Sequence, residues 1–257
     1  MKRNMTNHQK PILEVEDLCG GYSKNKPVLH HLRFQVRTNE IVGLIGLNGA
    51  GKSTTIKHIL GLLDPTSGSI RINGLSRDQQ REAYQSQLTY IPETPIFYEQ
   101  LTLWEHLELT AMAYDLPEEE WVPRAQFLLK QFRMEPMKHW MPDTFSKGMK
   151  QKLMIICAFL SEPSLYVIDE PFLGLDPRAI RALLDLMKTR QKGGAGILVS
   201  THILPTAELF CDRFVLLHEG RVLLQGTLGD LRDQTKLPEA TLDEIFMQVT
   251  EVRRDDE

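Results

Sequence analysis

Up to Asn73 the chain reads as closely spaced strands. Alternation or β-branching marks Ile12–Val15 and Phe34–Val36 and continues through Ile41–Ile45 and Ser69–Asn73. Turn residues at Asn39-Glu40 and Asn73-Gly74 punctuate these runs, which predicts an antiparallel sheet layered onto a larger core. From about Thr94 to Ser161 the period changes. Leu103, Leu107, Leu109 and Met112, then Phe127, Leu128 and Phe132, recur at helical spacing with no strand-like run among them. That segment, residues 94–161, reads as an inserted helical subdomain. The apolar runs LYVID (165–169) and ILVST (197–201) then bracket a helical pattern at Ile180–Met187. Apolar strand, helix, apolar strand is the pattern of a parallel sheet covered on both faces. FVLLH and RVLLQ around Glu219-Gly220 predict a hairpin. In TLDEIFMQVT, Leu242, Ile245, Phe246 and Val249 share a face, favouring a helix docked on its own domain over one that binds a partner.

These elements compose one α/β domain over residues 11–250: a parallel-sheet core, an antiparallel β-subdomain and the helical insertion, with polar tails at 1–10 and 251–257. A length of 257 residues suits one large α/β domain or two small ones, and no Pro/Gly/Ser-rich linker divides the chain. The apolar fraction of 42% and charged fraction of 25% exclude a disordered chain. With 30 basic against 34 acidic residues and no long Lys/Arg cluster, the chain offers no attraction to nucleic acid, and no nucleic-acid partner is expected. Cys19, Cys157 and Cys211 form no CxxC pair and read as buried thiols in a reducing cytoplasm. The N-terminus lacks the apolar stretch of a signal peptide. The longest apolar run, Leu153–Leu160, is far short of the ~20 residues of a membrane span, so the chain is not expected to cross a bilayer by itself.

The segment IVGLIGLNGAGKST changes the picture. It fits G-x-x-x-x-G-K-[ST] with Gly46, Gly51, Lys52 and Ser53 at the fixed places. An apolar strand runs in and a helix, Thr54–Leu63, is expected to run out. Glycines let backbone N–H groups turn inward around an anion, and the helix N-terminus adds its positive end. The loop Gly46, Leu47, Asn48, Gly49, Ala50, Gly51, Lys52, Ser53 and Thr54 is therefore a candidate phosphate cradle, which makes the core that of a P-loop NTPase (RecA-like). Lys52 supplies a point charge to the β- and γ-phosphates, and Ser53 a hydroxyl for Mg²⁺. Asp169 and Glu170 close the apolar run LYVI, at the strand tip where α/β sheets place ligands. Asp169 is expected to hold Mg²⁺ and Glu170 to polarise the attacking water as general base. The alternative for the pair is the start of a solvated loop.

FSKGMKQK (Phe145–Lys152), LYVIDEP (Leu165–Pro171), LGLDP (Leu173–Pro177) and LVSTH (Leu198–His202) follow the phosphate loop in order, with Tyr22 upstream. In that order and spacing the chain resembles the ABC ATPases over nearly all of residues 11–250. The resemblance is to the branch serving exporter-type membrane subunits, and most closely to the ATP-binding subunits of Ecs-type transporters of Gram-positive bacteria.

The resemblance implies an ATPase using ATP and Mg²⁺ that powers transport, in the export direction, through a separate multi-span permease. It implies a place at the cytoplasmic face of the membrane, held there through the permease, and self-association as a head-to-tail dimer with ATP sandwiched at the seam. Ser146 and Gly148 match the signature loop that meets the γ-phosphate held by the opposite protomer. Ser146 is also placed to cap the helix Lys147–Leu160. Lys147 and Met149 depart from the family's LSGGQ pattern, which bears on the hydrolysis rate. Glu93 stands where the family usually has Gln, linking Mg²⁺ and the attacking water to the membrane subunit; the alternative is an exposed loop charge. His202 matches the γ-phosphate sensor. Asp176 matches a residue of the dimer seam, with a helix cap before Pro177 as the alternative. Tyr22 matches the aromatic that stacks on adenine, against a turn aromatic packing locally. A soluble ABC ATPase with a scaffold or assembly role is the rival reading for the whole chain.

Overall fold

The structure is a computed structural model that describes residues 10–23 and 26–251. The expected polar tails, 1–10 and 251–257, lie outside the described residues apart from Lys10 and Glu251. The chain begins with β1 (Pro11–Gly20), β2 (Leu29–Arg37), β3 (Glu40–Ile45), α1 (Lys52–Ile59) and β4 (Ser67–Ile72). β2, β1 and β4 form an antiparallel three-stranded sheet in that order. β3 does not join it. At Asn39, in the left-handed region with φ 59°, the chain turns out of the small sheet and into the core, where all six residues of β3 are buried. The Ile41–Ile45 run expected among the early antiparallel strands is therefore a central strand of the parallel sheet.

α2 (Arg81–Gln85) and β5 (Leu88–Ile91) lead to the helical insertion. It contains α3 (Leu103–Ala113), α4 (Glu118–Gln131) and α5 (Lys147–Leu160), and no strand, as the periodicity predicts. Thr102 and Glu105 make a reciprocal capping box at the start of α3. α5 begins at Lys147 because Ser146 Oγ accepts the Met149 N–H. Its C-terminal carbonyls are met by cations: Arg124 Nη1 donates to Leu160 O at 2.6 Å and Arg190 Nη2 to Phe159 O at 3.3 Å. Glu162 bridges the same two guanidinium groups, at 3.3 and 2.5 Å. Since Arg124 lies on α4 and Arg190 on the core helix α6, this junction ties the insertion to the core.

The chain returns through β6 (Leu165–Asp169), α6 (Pro177–Lys192), β7 (Gly196–Thr201), α7 (Leu204–Phe210), β8 (Arg213–His218), β9 (Arg221–Gly226), α8 (Leu228–Thr235) and α9 (Leu242–Glu251). The large sheet runs β5-β6-β7-β3-β8-β9, parallel except for the β8–β9 hairpin. One apolar layer joins Leu13, Leu32, Phe34 and Val36 of the small sheet to Val42, Leu44, Val167 and Leu198 of the core. On the opposite face Leu107, Leu128, Phe132 and Ile156 of the insertion pack with Tyr166, Ile168 and Ile197. α9 buries Leu242, Ile245 and Phe246 against Leu204, Leu216 and Ile45, so it docks on its own domain. At about 25 cal/mol per Å² of apolar surface, each fully buried leucine or phenylalanine in these layers stabilises the fold by roughly 1.5–3 kcal/mol. The three thiols are free and part-buried, where burial was expected, and desolvation pushes the Cys157 thiol up to about 12.

Register decides what meets at the top of the sheet. Ile45 pairs with Thr201, Asp169 with Ser200, and Ile91 with Ile168. The loops leaving β3, β5, β6 and β7 therefore emerge side by side at the carboxyl edge, where open α/β sheets bind ligands.

Candidate functional site

Those four loops, with Tyr22 and Val28 beyond β1, enclose a cleft of about 420 Å³. It is lined by Tyr22, Val28, Leu47, Asn48, Gly49, Gly51, Lys52, Ser53, Thr54, Glu93, Asp169, Glu170 and His202. Gly49 and Gly51 take φ 84° and 105°, a region that L side chains rarely adopt, and Gly51 is the N-cap of α1. The helix starts at Lys52, two residues earlier than the expected Thr54, and stops at Ile59, short of Leu63, because Gly61 turns left-handed at φ 71°. Gly46 and Ala50 are buried behind the loop's face. The Ala50 carbonyl accepts the Gly220 N–H at 2.9 Å, fixing the loop to the β8–β9 turn.

Lys52 is buried at 7% exposure, and its Nζ donates to the Gly46 carbonyl at 2.7 Å and the Leu47 carbonyl at 3.3 Å. It lies 4.0 Å from Glu170 Oε1. Burial lowers the Lys52 pKa, against the raising influence of Glu170, Asp169 and Glu93.

Glu170 sits just past β6 at φ 44°, a left-handed conformation uncommon for a non-glycine residue. Three bonds hold it there. Its N–H donates to the Ser200 carbonyl at 3.1 Å, Thr201 Oγ1 donates to Oε2 at 3.1 Å, and His202 Nδ1 lies 2.6 Å from Oε1. A carboxylate can only accept, so His202 carries its proton on Nδ1 and keeps Nε2 for a further partner. The Asp169 carboxylate takes the Ser200 hydroxyl. Burial pushes its pKa up; the Ser200 bond and Lys52 oppose this, while Glu93 and Glu170 add to it.

Three carboxylates thus converge opposite one lysine. A hard divalent cation suits that excess of negative oxygen donors. Among the described residues no group of three or more His, Cys, Asp or Glu forms a metal cage.

Tyr22 is exposed at 62%, and Lys57 Nζ donates to its hydroxyl at 3.1 Å while standing 4.9 Å from the ring centroid. That hydrogen bond, with one from Thr54, lowers the phenol pKa. Ser146, Gly148 and Asp176 do not line the cleft. Ser146 caps α5, and a Cβ on Gly148 would lie 2.5 Å from the Gly174 carbonyl. Asp176 caps α6, accepting from Arg178 and Ala179, and pairs with Lys152 at 2.7 Å. Those contacts, the Lys152 bond first, hold the carboxyl at about 2. Sequence reasoning missed Ser200, Thr201 and Lys57. Each reaches its partner across strands or between β1 and α1, so no local spacing announces it. A larger cleft of about 640 Å³ between the two sheets is lined by Arg33, Arg37 and Arg213 among others and holds none of these groups.

Residues 29–173 match the ABC transporter family, more than half of the chain. This chain belongs to the ABC transporter ATP-binding proteins. It is 59% identical over 239 residues to the ABC-type transporter ATP-binding protein EcsA of Bacillus subtilis, covering 93% of this chain and 96% of that protein. A solved ATP-binding subunit of an ABC transporter superposes with a TM-score of 0.91 at 58% identity, covering 93% of this chain and 99% of that one. CbiO1 of Clostridium perfringens, described as part of the ABC transporter complex cbiONQ, superposes with a TM-score of 0.74 at 28% identity over 89% of this chain and 93% of that one. The ABC protein described here is thus an ATPase, the ATP-binding subunit of a transporter, and pairs with a transmembrane permease. The scaffold alternative is not favoured. No helix among the described residues is long and apolar enough to cross a membrane.

Proposed function

We propose that the 420 Å³ cleft binds Mg²⁺-ATP and that the chain works as a head-to-tail dimer at the cytoplasmic face of a membrane, held there by its permease. The observation that carries this reading is the convergence of Lys52, Ser53, Asp169, Glu170 and His202 in one cleft, while Ser146 and Gly148 line none of it. In this reading the loop N–H groups and Lys52 take the β- and γ-phosphates, Lys52 exchanging its bonds to Gly46 and Leu47 for bonds to phosphate oxygen. Tyr22, held from one side by Lys57, stacks on adenine. Ser53, Asp169 and Glu93 hold the Mg²⁺, which supplies charge neutralisation at the phosphates when bound. Glu170 accepts a proton from the attacking water as the water oxygen bonds to the γ-phosphorus and the bond from that phosphorus to the bridging oxygen breaks, releasing ADP, while His202 Nε2 contacts the γ-phosphate.

The partner's Ser146 hydroxyl and the N–H groups around its Gly148 complete the site, with Asp176 at the seam. ATP therefore favours the closed pair, and hydrolysis lets the pair part. Exposed Ile96 and Tyr98 follow Glu93, and exposed Trp140 lies nearby: the Leu103 N–H bonds the Trp140 carbonyl and the Tyr98 N–H bonds His106, which sets Trp140 and Tyr98 beside α3. That surface is where the permease is proposed to dock and receive the movement. The outward direction of transport rests on the exporter branch that the motifs resemble.

The composite site can be tested by mixing two inactive chains. Lys52→Ala breaks the phosphate half, and Gly148→Ala breaks the signature half by driving a methyl into the Gly174 carbonyl. Each chain alone is expected to be nearly inactive. An equimolar mixture regains activity, because a mixed dimer contains one site built from two intact halves. A mixture as inactive as its parts, with mixed dimers present, would remove the head-to-tail reading.

A further inference from the structure

Of the three carboxylates that face Lys52, two are already committed. The Asp169 carboxylate takes the Ser200 hydroxyl. Glu170 accepts from Thr201 Oγ1 and His202 Nδ1 and stands 4.0 Å from the Lys52 ammonium. Glu93 differs from both. It is exposed, lies just beyond β5, and among the described residues its carboxylate makes no hydrogen bond and no ion pair. The backbone beside it is anchored: Pro92 is buried, and Gln151 Nε2 of α5 donates to its carbonyl at 3.4 Å. Lys150, the cation that α5 turns toward this segment, stands over the Phe97 ring, 5.2 Å from its centroid. The charge of Glu93 still reaches across the cleft. Burial lowers the Lys52 pKa and raises those of Asp169 and Tyr90, and the Glu93 charge pushes all three upward. The cleft therefore sets one ammonium against three carboxylates, and Glu93 is the one with no partner.

A nucleoside triphosphate entering alone brings a polyanion to this surplus of negative charge. The same nucleotide entering with a divalent cation brings two fewer negative charges, and an ion that takes carboxylate oxygen as a ligand. The loop N–H groups and Lys52 attract both forms, so they do not choose between them. An unpaired carboxylate does choose: it repels the free anion and draws the metal complex. We propose that Glu93 is a specificity-determining residue, making this cleft select the metal-loaded triphosphate and turn away the metal-free anion. Resting on the reading of the cleft as the nucleotide site, this role goes beyond lending an oxygen to the cation. A neutral amide at position 93 would lend an oxygen too, but without the repulsion.

Equilibrium dialysis of a non-hydrolysable imido analogue of ATP against the full-length chain, with magnesium in one series and EDTA in the other, reads the selection without turnover or permease. Glu93→Gln is expected to bind the metal-free analogue about tenfold more tightly than the natural chain, the effect of one charge near phosphate in a cleft open to water. Its affinity for the magnesium-loaded analogue should stay within about threefold, because the amide keeps an oxygen ligand. Glu93→Asp keeps the charge and should keep the discrimination. Glu99→Gln removes a carboxylate from the same segment but outside the cleft, and should also keep it. The gain in Glu93→Gln should be smaller for ADP, and smaller again when salt rises from about 0.1 M to about 1 M. An unchanged ratio of magnesium to EDTA affinities in Glu93→Gln, or an equal gain in Glu99→Gln, overturns the proposal. Lys52→Ala, run in parallel, separates the two readings. If it leaves the magnesium-loaded affinity intact, the nucleotide site is misplaced and the proposal falls with it. If it weakens binding while the Glu93→Gln ratio is unchanged, only the role of Glu93 falls.

Discussion

Glu170→Gln is expected to keep its grip on ATP while hydrolysis slows by about 10²–10⁴-fold, the usual contribution of a positioned general base. The amide is nearly the size of the carboxylate and can still meet Thr201 and His202, so the cleft's shape should survive. What is lost is basicity, at a carboxylate whose two oxygens are each held by one side-chain bond and whose backbone sits in an uncommon left-handed conformation. The His202 contact sharpens the expectation. Its Nδ1–H can donate to an amide oxygen as well as to a carboxylate, so the sensor stays oriented and the deficit appears in kcat rather than in KM. Because ATP persists in this variant, it should elute as a dimer in gel filtration with ATP and magnesium. A monomer across all nucleotide concentrations would contradict the sandwich arrangement.

Lys52→Ala acts on binding. It removes the ammonium from the centre of a cleft where Asp169, Glu170 and Glu93 all attract it. Charge-assisted hydrogen bonds contribute about 1.5–3 kcal/mol each, so ATP affinity should fall by roughly 10- to 100-fold or more in equilibrium dialysis. Loss of the lysine also leaves three carboxylates facing a polyanion with no fixed cation between them, which adds to the deficit. Lys52→Arg is not expected to restore binding. The planar guanidinium cannot occupy the buried point between the Gly46 and Leu47 carbonyls that a compact ammonium fills. Affinity within twofold of the natural chain in either variant would contradict the role given to this residue.

Much of this architecture could be read before any coordinates because its signals are local. The phosphate loop lies within one run from Gly46 to Ser53, the Ser146 cap precedes its own helix, and the apolar strands at 165–169 and 197–201 need no distant information. What the sequence misplaces or leaves unassigned is nonlocal or short. Ile41–Ile45 resembles its neighbours in composition, and only the pairing of β3 with β7 and β8 places it in the core sheet. β5 is a four-residue strand whose identity depends on β6 beside it. α7 and α8 are short, and their order comes from apolar contacts with Leu216 and Ile45. In the candidate site, Asp169 and Glu170 are visible at the end of an apolar run, but the partners that hold them, Ser200, Thr201 and His202, arrive from β7 about thirty positions later. Asp176 shows how two readings can share a residue. Its capping bonds and Lys152 pair occupy the carboxylate within one chain, and the seam role must be compatible with them.

The most direct measurement is a crystal structure of the Glu170→Gln chain grown with ATP and magnesium. It should show two chains head to tail, each triphosphate lying between Lys52 of one chain and Ser146 of the other, with a water beside residue 170 in line with the γ-phosphorus. ATP seated in the 640 Å³ cleft between the sheets, or away from Lys52 altogether, would contradict the account.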